Sequence, residues 1–547
     1  DKTPRIFNFN VDMGAYESTA LPQSVYVDLA NATPVFPYAT WATAATSIQD
    51  GVDAATLDAT VFVTNGVYQT GSRIASGGGY GGATPNRVAI EKRIIVRSMN
   101  GPAATSIVGA GPLGNSAIRG VWLQDNAWLI GFTVTNGCTR AGESGGGVKV
   151  GYLSYGSVSN CVIAAGQATY GGGASGGLYF DSTLRGNQAV TSGGGASSAT
   201  LERCTLADNA VTQFFGGGAY FCTLRDCVVS GNSVGGANAS GGGTYDCWVE
   251  GGSIVANTGH YGGGDAESIL NNTLISGNTA TYAGGGAYNS TLVACTVSNN
   301  TATLYGGGTY ESTVSDSRLL DNSALQRGGG SFDGTLVDCV ISGNDSPSGG
   351  GVDGGSLTNC TISANAASHS GGGAINATLR DCQVLDNTAF FSGGGVMYST
   401  VTDSELRGNA STSSSGGGGG GANQSTLTGC TISNNTSAGL GGGSSGGTLV
   451  DCLLSGNESV SAGGGAYGGT LTRCSLTGNR APLSAGGGSY QSTLIASTIS
   501  GNSALQGGGV SVGTLRNCVL SGNRSTGNGG GAYNSQLTNC TLVGNSS

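Results

Sequence analysis

The sequence predicts an all-β chain wound as a right-handed parallel β-helix, a solenoid of about 22 residues per coil with an N-terminal capping helix. Three observations carry that expectation. A glycine triplet returns at Gly171, Gly193, Gly216, Gly241, Gly262, Gly284, Gly306, Gly328 and Gly349, and keeps returning as far as Gly529. Between triplets, apolar and small polar residues alternate with the period of two expected of a half-buried strand. An asparagine closes the coil at a fixed place, as at Asn278, Asn300, Asn322, Asn344 and onward to Asn545. The period is too short for paired helices and too long for hexapeptide coils. A helical reading also fails on glycine, which costs about 1 kcal/mol per residue relative to alanine in a helix.

Composition agrees. Of 547 residues 105 are Gly and only 9 are Pro. Without a three-residue period this excludes collagen, and the regular apolar positions argue against disorder. A solenoid also explains the length, because its core grows in one dimension. The net charge is −10, with lysine only at positions 2, 92 and 149. That is a poor surface for nucleic-acid phosphates or anionic lipid, so no nucleic-acid partner is expected. No apolar run approaches the roughly 20 residues of a membrane span, so no membrane insertion is expected. No leader is visible, so a secreted protein would be present in its mature form.

Taken in order, the chain divides into a segment 1–22, an N-terminal cap with irregular first coils over 23–144, and regular glycine-rich coils over 145–547. In the first segment Phe7, Phe9, Val11 and Met13 alternate with Asn8, Asn10 and Asp12, the pattern of a single strand. Next, Thr40 is placed to N-cap a helix whose Trp41, Ala45, Ile48, Val52 and Ala55 form one apolar stripe. Such a helix can lie across the open solenoid end, which otherwise exposes unpaired edges and an apolar lumen. Strand-like pieces follow at Thr60–Val63, Arg93–Arg97 and Leu129–Val134. In a regular coil such as Gly284–Thr303 three pieces stand out: Ala287-Tyr288, Thr291-Leu292 and Cys295-Thr296-Val297. The closing Asn is expected to visit the left-handed region and to stack as an amide ladder from coil to coil. The triplet marks a corner of positive φ or close backbone approach.

Tyr26-Val27-Asp28, Pro37 to Ala45, Ile48-Gln49-Asp50 and Val63 to Tyr68 resemble the start of bacterial secreted right-handed β-helix proteins of the pectin-lyase-like superfamily. Gly371–Ala374 and Ile341–Asn344 are similar to repeats of the polymorphic outer-membrane proteins, surface-exposed or secreted adhesin-like passengers. The resemblance implies an extracellular or cell-surface location reached by bacterial-type secretion. It does not select a function, since such β-helices host lyases, hydrolases, adhesins and structural fibres. Thr3 to Glu17 also resembles the segment that ends the solenoid in related proteins, yet here it comes first, and the chain stops mid-repeat at Ser547. This suggests that Pro4, Arg5, Ile6, Phe7, Phe9, Val11, Met13 and Tyr16 pair with the coil of Cys540, Leu542 and Asn545 in a neighbouring subunit. About 18 coils would separate the two segments by roughly 90 Å within one chain, too far for residues 17–25 to span. A contact of that kind does not close and builds a head-to-tail homopolymer.

Three columns invite chemistry. Cysteine recurs in one slot, at Cys204, Cys227, Cys247, Cys295, Cys339, Cys360, Cys382, Cys430, Cys452, Cys474, Cys518 and Cys540, where Thr273, Ser317, Ser404 and Ser497 substitute. Metal ligation would not tolerate that exchange, and no Cys/His cluster accompanies it, so no metal site is expected. Neighbouring pairs such as Cys430–Cys452 lie within disulfide range if the coils stack. Carboxylates recur at Asp226, Asp246, Asp316, Asp338, Asp381, Asp403 and Asp451, but alternate with Ala294, Asn359, Gly429 and Arg473. No sustained basic partner accompanies them, so no catalytic residue or cofactor is assigned and the chain is read as a non-enzyme. An aromatic column follows the triplets, with Tyr288, Tyr310, Tyr467 and Tyr490 as a candidate ligand face for surface glycans. Cross-coil stacking explains the same column equally well. The leading expectation is an extracellular structural protein, a fibre subunit or tandem stalk. A monomeric adhesin or carbohydrate-binding β-helix, and a polysaccharide lyase or hydrolase, are the alternatives. A cleft lined with paired carboxylates and arginine would favour the enzyme.

Overall fold

Four strands, not three, make each regular coil. The structure is a computed structural model and describes residues 6–7, 10–11, 23–76, 84–151, 155–415 and 417–547. It falls into two units: Asp1–Gln213 with Gly217–Val228, and Phe214–Gly216 with Val229–Ser547. Each is a right-handed parallel β-solenoid with almost no helix.

In the second unit the coil after Gly284 runs through Ala287–Tyr288, Thr291–Val293, Thr296–Ser298 and Thr301–Ala302. Each strand pairs in parallel register with its counterpart in the next coil: Tyr288 with Tyr310, Leu292 with Val314, Val297 with Leu319, Ala302 with Ala324. The fourth face is invisible to pattern reading because two small residues cannot display an alternation. The inward columns are shape-matched. Leu292, Val314 and Leu336 stack on the second face and Val297, Leu319 and Ile341 on the third, all fully buried. Small Ala302 and Ala324 occupy the fourth, where the lumen narrows.

The Asn column is a hydrogen-bonded ladder, as its repetition predicts. Asn300 Nδ2 donates to Asn322 Oδ1 at 3.0 Å and to the Ile275 carbonyl at 3.0 Å. Its Oδ1 accepts from both the backbone N–H and the Nδ2 of Asn278, at 2.9 and 3.0 Å. Every hydrogen-bonding position of the amide is therefore used. The same links join Asn232, Asn257, Asn278, Asn300, Asn322, Asn344, Asn365 and their successors to Asn545. One expectation is corrected. The left-handed residue is not the ladder Asn but the residue before it: Asn299 at φ 55°, Asp321 at 53°, Ala364 at 54° and Gly343 at 71°. The ladder Asn has already turned inward, and its amide meets the third glycine of the triplet. A Cβ on Gly286 would lie 3.0 Å from Asn300 Nδ2.

The first unit begins irregularly. Its second-face strands start at Ser24, Thr60, Ile95, Trp128, Ser157 and Leu178, so the coils shorten toward the regular spacing. Val25, Val61, Val96, Leu129 and Val158 form the corresponding buried column. The expected helix from Thr40 is broken. Thr40 caps only a 3-10 turn, Trp41–Thr43, and Trp41 stays 40% exposed. Ala45 then bonds to the first strand, its N–H donating to the Tyr26 carbonyl at 2.9 Å, before Ser47 caps α1, Ile48–Ala54. Ser47 Oγ accepts from the Asp50 N–H at 3.1 Å. The second cap wins because a pairing edge is available to residues 44–46, and a strand bond there replaces a helical one. α1 rests on the inward valines so closely that a Cβ on Gly51 would lie 2.6 Å from Val27 Cγ2. It thus covers the lumen at the first coil.

Candidate functional site

The cysteine column is a set of buried thiols. All fifteen cysteines lie among the described residues and none is joined in a disulfide, so the suggested Cys430–Cys452 bridge is not formed. Cys452 Sγ lies 3.2 Å from the Val450 carbonyl oxygen and 3.5 Å from that of Leu427. Ser404 and Ser497 make the same bond to the carbonyl two residues back, at 2.7 and 2.9 Å. That shared bond is why Ser and Cys exchange in this slot. Burial pushes the Cys161 thiol up to about 11, far from the thiolate needed for metal binding or attack. Cys247 and Asp246 are corrected. They precede the second-face strand Trp248–Glu250, a slot shared with Ser268 and Ser290, because both corners of the coil can carry the same Asp-Cys pair.

The Asp slot is a corner. Asp226, Asp316, Asp338, Asp381, Asp403 and Asp451 all have φ between 49° and 55°, as do Ala294, Asn359 and Arg473. Asp, Asn and Gly recur there because they tolerate the left-handed region. Two arginines do pair within such corners: Arg473 holds Asp451 at 2.7 Å and Arg203 holds Asp181 at 2.8 Å. These pairs are exposed, and each lowers its carboxyl below the usual value.

In the second unit the rings after and before successive triplets form an aromatic corner. Tyr288, Tyr310 and Phe332 stack with their planes within 5° of parallel and centroids 5.1 and 5.3 Å apart. A second row, from residues just before the triplets, leans on the first. Tyr261 lies 5.0 Å from Tyr288, and Tyr305 lies 5.0 Å from Phe332. Tyr282 joins Tyr261 at 5.1 Å and Tyr305 at 5.8 Å. The triplet makes this possible: its tight turn sets the residue before it and the residue two beyond it on facing sides of one groove. Arg327 ends the stack, 6.0 Å from the Phe332 centroid and 2.9 Å from Asp353 Oδ2. Burial, then the adjacent Glu311 carboxylate, hold the Tyr310 phenol above its usual value, so it is a donor at neutral pH. Tyr467 and Tyr490 stack as a separate pair at 5.8 Å. Stacking is thus how these four tyrosines are arranged. The rings cover much of one another's faces and present edges and hydroxyls outward. The second row was missed in the sequence because Tyr261 and Tyr305 share their slot with Ala283 and Arg327, and Tyr282 lies one residue before it.

A second cluster, also missed, lies beside α1 in the first unit. Asp53, Arg73, Glu91 and Lys92 line a cleft of about 400 Å³. Arg73 lies 2.6 Å from Asp53 and 3.6 Å from Glu91, while Lys92 Nζ donates to the Asp53 carbonyl at 3.0 Å. The structure therefore brings together two carboxylates and an arginine that no sequence motif groups. Residues 53, 73 and 91 are too far apart in sequence for any spacing rule to join them. One arginine thus contacts both carboxylates. The buried pair of Arg119 and Glu143, 3.1 Å apart, is a closed structural node, with Arg119 also bonded to Asn86 Oδ1 and to the Gly145 carbonyl.

Of the proposed assembly residues, Leu542 is 49% exposed and Cys540 half-buried, whereas Asn545 is engaged with Asn523 at 2.9 Å. Pro4, Arg5, Phe9, Met13 and Tyr16 lie outside the described residues. The segment is not one strand: Ile6–Phe7 pairs antiparallel with Asn10–Val11, Ile6 opposite Val11. An alternating pattern does not distinguish a continuous strand from one folded back on itself. Among the described residues no group of three or more His, Cys, Asp or Glu could hold a metal, and no helix is long and apolar enough to cross a membrane.

No family model and no curated protein matches the chain. Solved structures similar to it include pectin methylesterase from carrot, at 11% identity and TM-score 0.22, covering 67% of this chain and 83% of that one. The PL6 family alginate lyase AlyGC is similar at 9% and 0.26, covering 90% and 87%. A hyper-glycosylated fragment of TibA is similar at 16% and 0.20, covering 68% and 97%. What the ladders define is a parallel β-solenoid protein.

Proposed function

We propose that the chain is a non-enzymatic extracellular structural protein, a length of solenoid stalk or fibre exported by a bacterial-type route. The observation that carries this is the unbroken Asn ladder. Coil after coil, the inward asparagine side chains bond to the next coil. The coil face with Leu537 and Leu542, 37% and 49% exposed, is the face that Leu515 and Leu520 bury in the preceding coil. Stacking of a further coil on it, from a neighbouring copy or from the same tandem protein, is the head-to-tail element of this proposal. Negative-stain images and light scattering test it: rods that lengthen end to end support a fibre, and single short rods at all concentrations argue for a stalk module.

A second reading is favoured by one observation each way. The tyrosine hydroxyls and Glu311 at the aromatic corner offer hydrogen bonds to a surface glycan, which makes the stalk an adhesin. The cleft of Asp53, Arg73 and Glu91 is the feature that a polysaccharide lyase or hydrolase would need. Incubation with neutral and uronate polysaccharides is expected to release neither reducing ends nor unsaturated products. Turnover that disappears in Arg73→Ala and Glu91→Gln would replace the structural reading with the enzymatic one.

A further inference from the structure

One carboxyl sits inside the lumen of the second unit. Asp265 opens the first-face strand Asp265–Ala266, and its side chain is fully buried. Its counterparts in the adjacent coils are Thr244 and Ala287. Among the described residues the largest influences on it are burial and hydrogen bonds. The groups that bond it are hydroxyls and the Ala266 backbone N–H. Thr244 Oγ1 lies 2.6 Å from Oδ1, Ser290 Oγ lies 2.8 Å from Oδ2, and the Ser268 hydroxyl is also within bonding reach. The nearby titratable groups are the thiol of Cys295 and that of Cys247, whose N–H donates to Ser268 Oγ; Tyr245, Glu267 and Tyr288 sit on the outer face.

A proton count ties the Ser290 bonds to the form of this acid. Ser290 Oγ lies 2.9 Å from the Tyr288 carbonyl oxygen as well as 2.8 Å from Asp265 Oδ2. One hydroxyl donates one proton. In sister coils that proton goes to the carbonyl two residues back, as in Ser312 to Tyr310, Ser399 to Met397 and Ser425 to Asn423, at 2.8–2.9 Å. With its proton on the Tyr288 carbonyl, Ser290 Oγ accepts from a neutral Asp265; with its proton on Oδ2, it donates to the carboxylate. We propose that Asp265 holds a proton in the folded chain on the acid side of its midpoint, releases it on the alkaline side, and acts as a proton-responsive latch beneath the aromatic corner. When it ionises, the proton leaves to water. The Ser268 and Ser290 hydroxyls then turn from the carbonyls of Ala266 and Tyr288 to the carboxylate, and the strands carrying the corner lose those bonds.

Burial raises the carboxyl from 3.8 to about 6. Between those values the folded chain keeps a proton that the unfolded chain has released. The stabilisation is therefore complete below 3.8 and lost as the pH rises through about 6. The latch stands whether or not the corner binds a glycan.

Infrared difference spectra and hydrogen exchange across about pH 6, on the full chain and on Asp265→Asn, test it. The wild type should show a protonated carboxyl band that titrates there and is missing from the variant. Local opening of residues 265–290 should rise by up to about a hundredfold between pH 3.8 and about 6, the factor that two pH units allow, level off above that, and stay flat in Asp265→Asn. Ser290→Ala removes a donor to the ionised form and should move the midpoint upward, which keeps the idea testable if Asp265→Asn misfolds. A carboxylate ionised throughout, an unchanged profile in Asp265→Asn, or an unmoved midpoint in Ser290→Ala would each overturn it.

Discussion

Asparagine suits its column because a neutral amide offers two donors and two acceptor sites in one plane. Repeated at the coil spacing, each amide completes its neighbour. Asn344→Ala removes a link from both sides and strands buried groups on Asn322 and on the Leu319 carbonyl. A loss of about 3–5 kcal/mol is expected in urea unfolding, from one to two unsatisfied buried groups at 1–3 kcal/mol each plus the cavity. Cys452→Ser should be far milder, within about 1 kcal/mol, because serine makes the same carbonyl bond elsewhere in the column. A loss of several kcal/mol would mean that the thiol does something its geometry does not reveal. At this scale the sequence is a good guide to which residue repeats and a poor guide to why. The Asp slot reads as a charged column, yet its cause is a left-handed backbone that Ala294 and Arg473 also adopt.

Among elements, the glycine triplet governs what the corner can hold. Gly307 lies where a Cβ would collide with the Ser323 carbonyl on the fourth strand of its own coil. Backbone on that side leaves no room to relax, so Gly307→Ala should cost more than about 4 kcal/mol or abolish folding. Gly277 has φ 65° but nothing within 4 Å of its added Cβ. Gly277→Ala should cost only about 1–2 kcal/mol, the penalty for the left-handed region alone. Equal losses from the two variants in thermal melts would refute this division of roles. The tight corner also brings the two aromatic rows together. Tyr310→Ala breaks contacts to both Tyr288 and Phe332, and a loss of about 1–3 kcal/mol is expected from two ring pairs. Tyr490→Ala breaks one such pair and should cost about half as much by the same measure.

For the whole molecule the thiols provide a direct reading of the fold. Cys540 is the one cysteine that is not fully buried, and all fifteen are outside disulfides. A thiol reagent should therefore label one group quickly in the native protein and fifteen after denaturation without reductant. Fewer than fifteen after denaturation would establish oxidised pairs in the column.

The coil length, the parallel architecture, the Asn ladder and the identity of the inward columns were set by the sequence alone, because each follows from a period that repeats at fixed spacing. What the tertiary structure decided does not repeat. It broke the Thr40 helix in favour of a strand bond at Ala45, added a two-residue fourth face, and moved Cys247 to another corner. It also brought Asp53 to Arg73 and Glu91, and it enclosed Asp265 among three hydroxyls. Periodicity fixes what each coil shares with its neighbours. Where one coil departs from them, the outcome depends on which groups compete for the same edge, corner or proton, and that competition takes place between residues the sequence holds far apart.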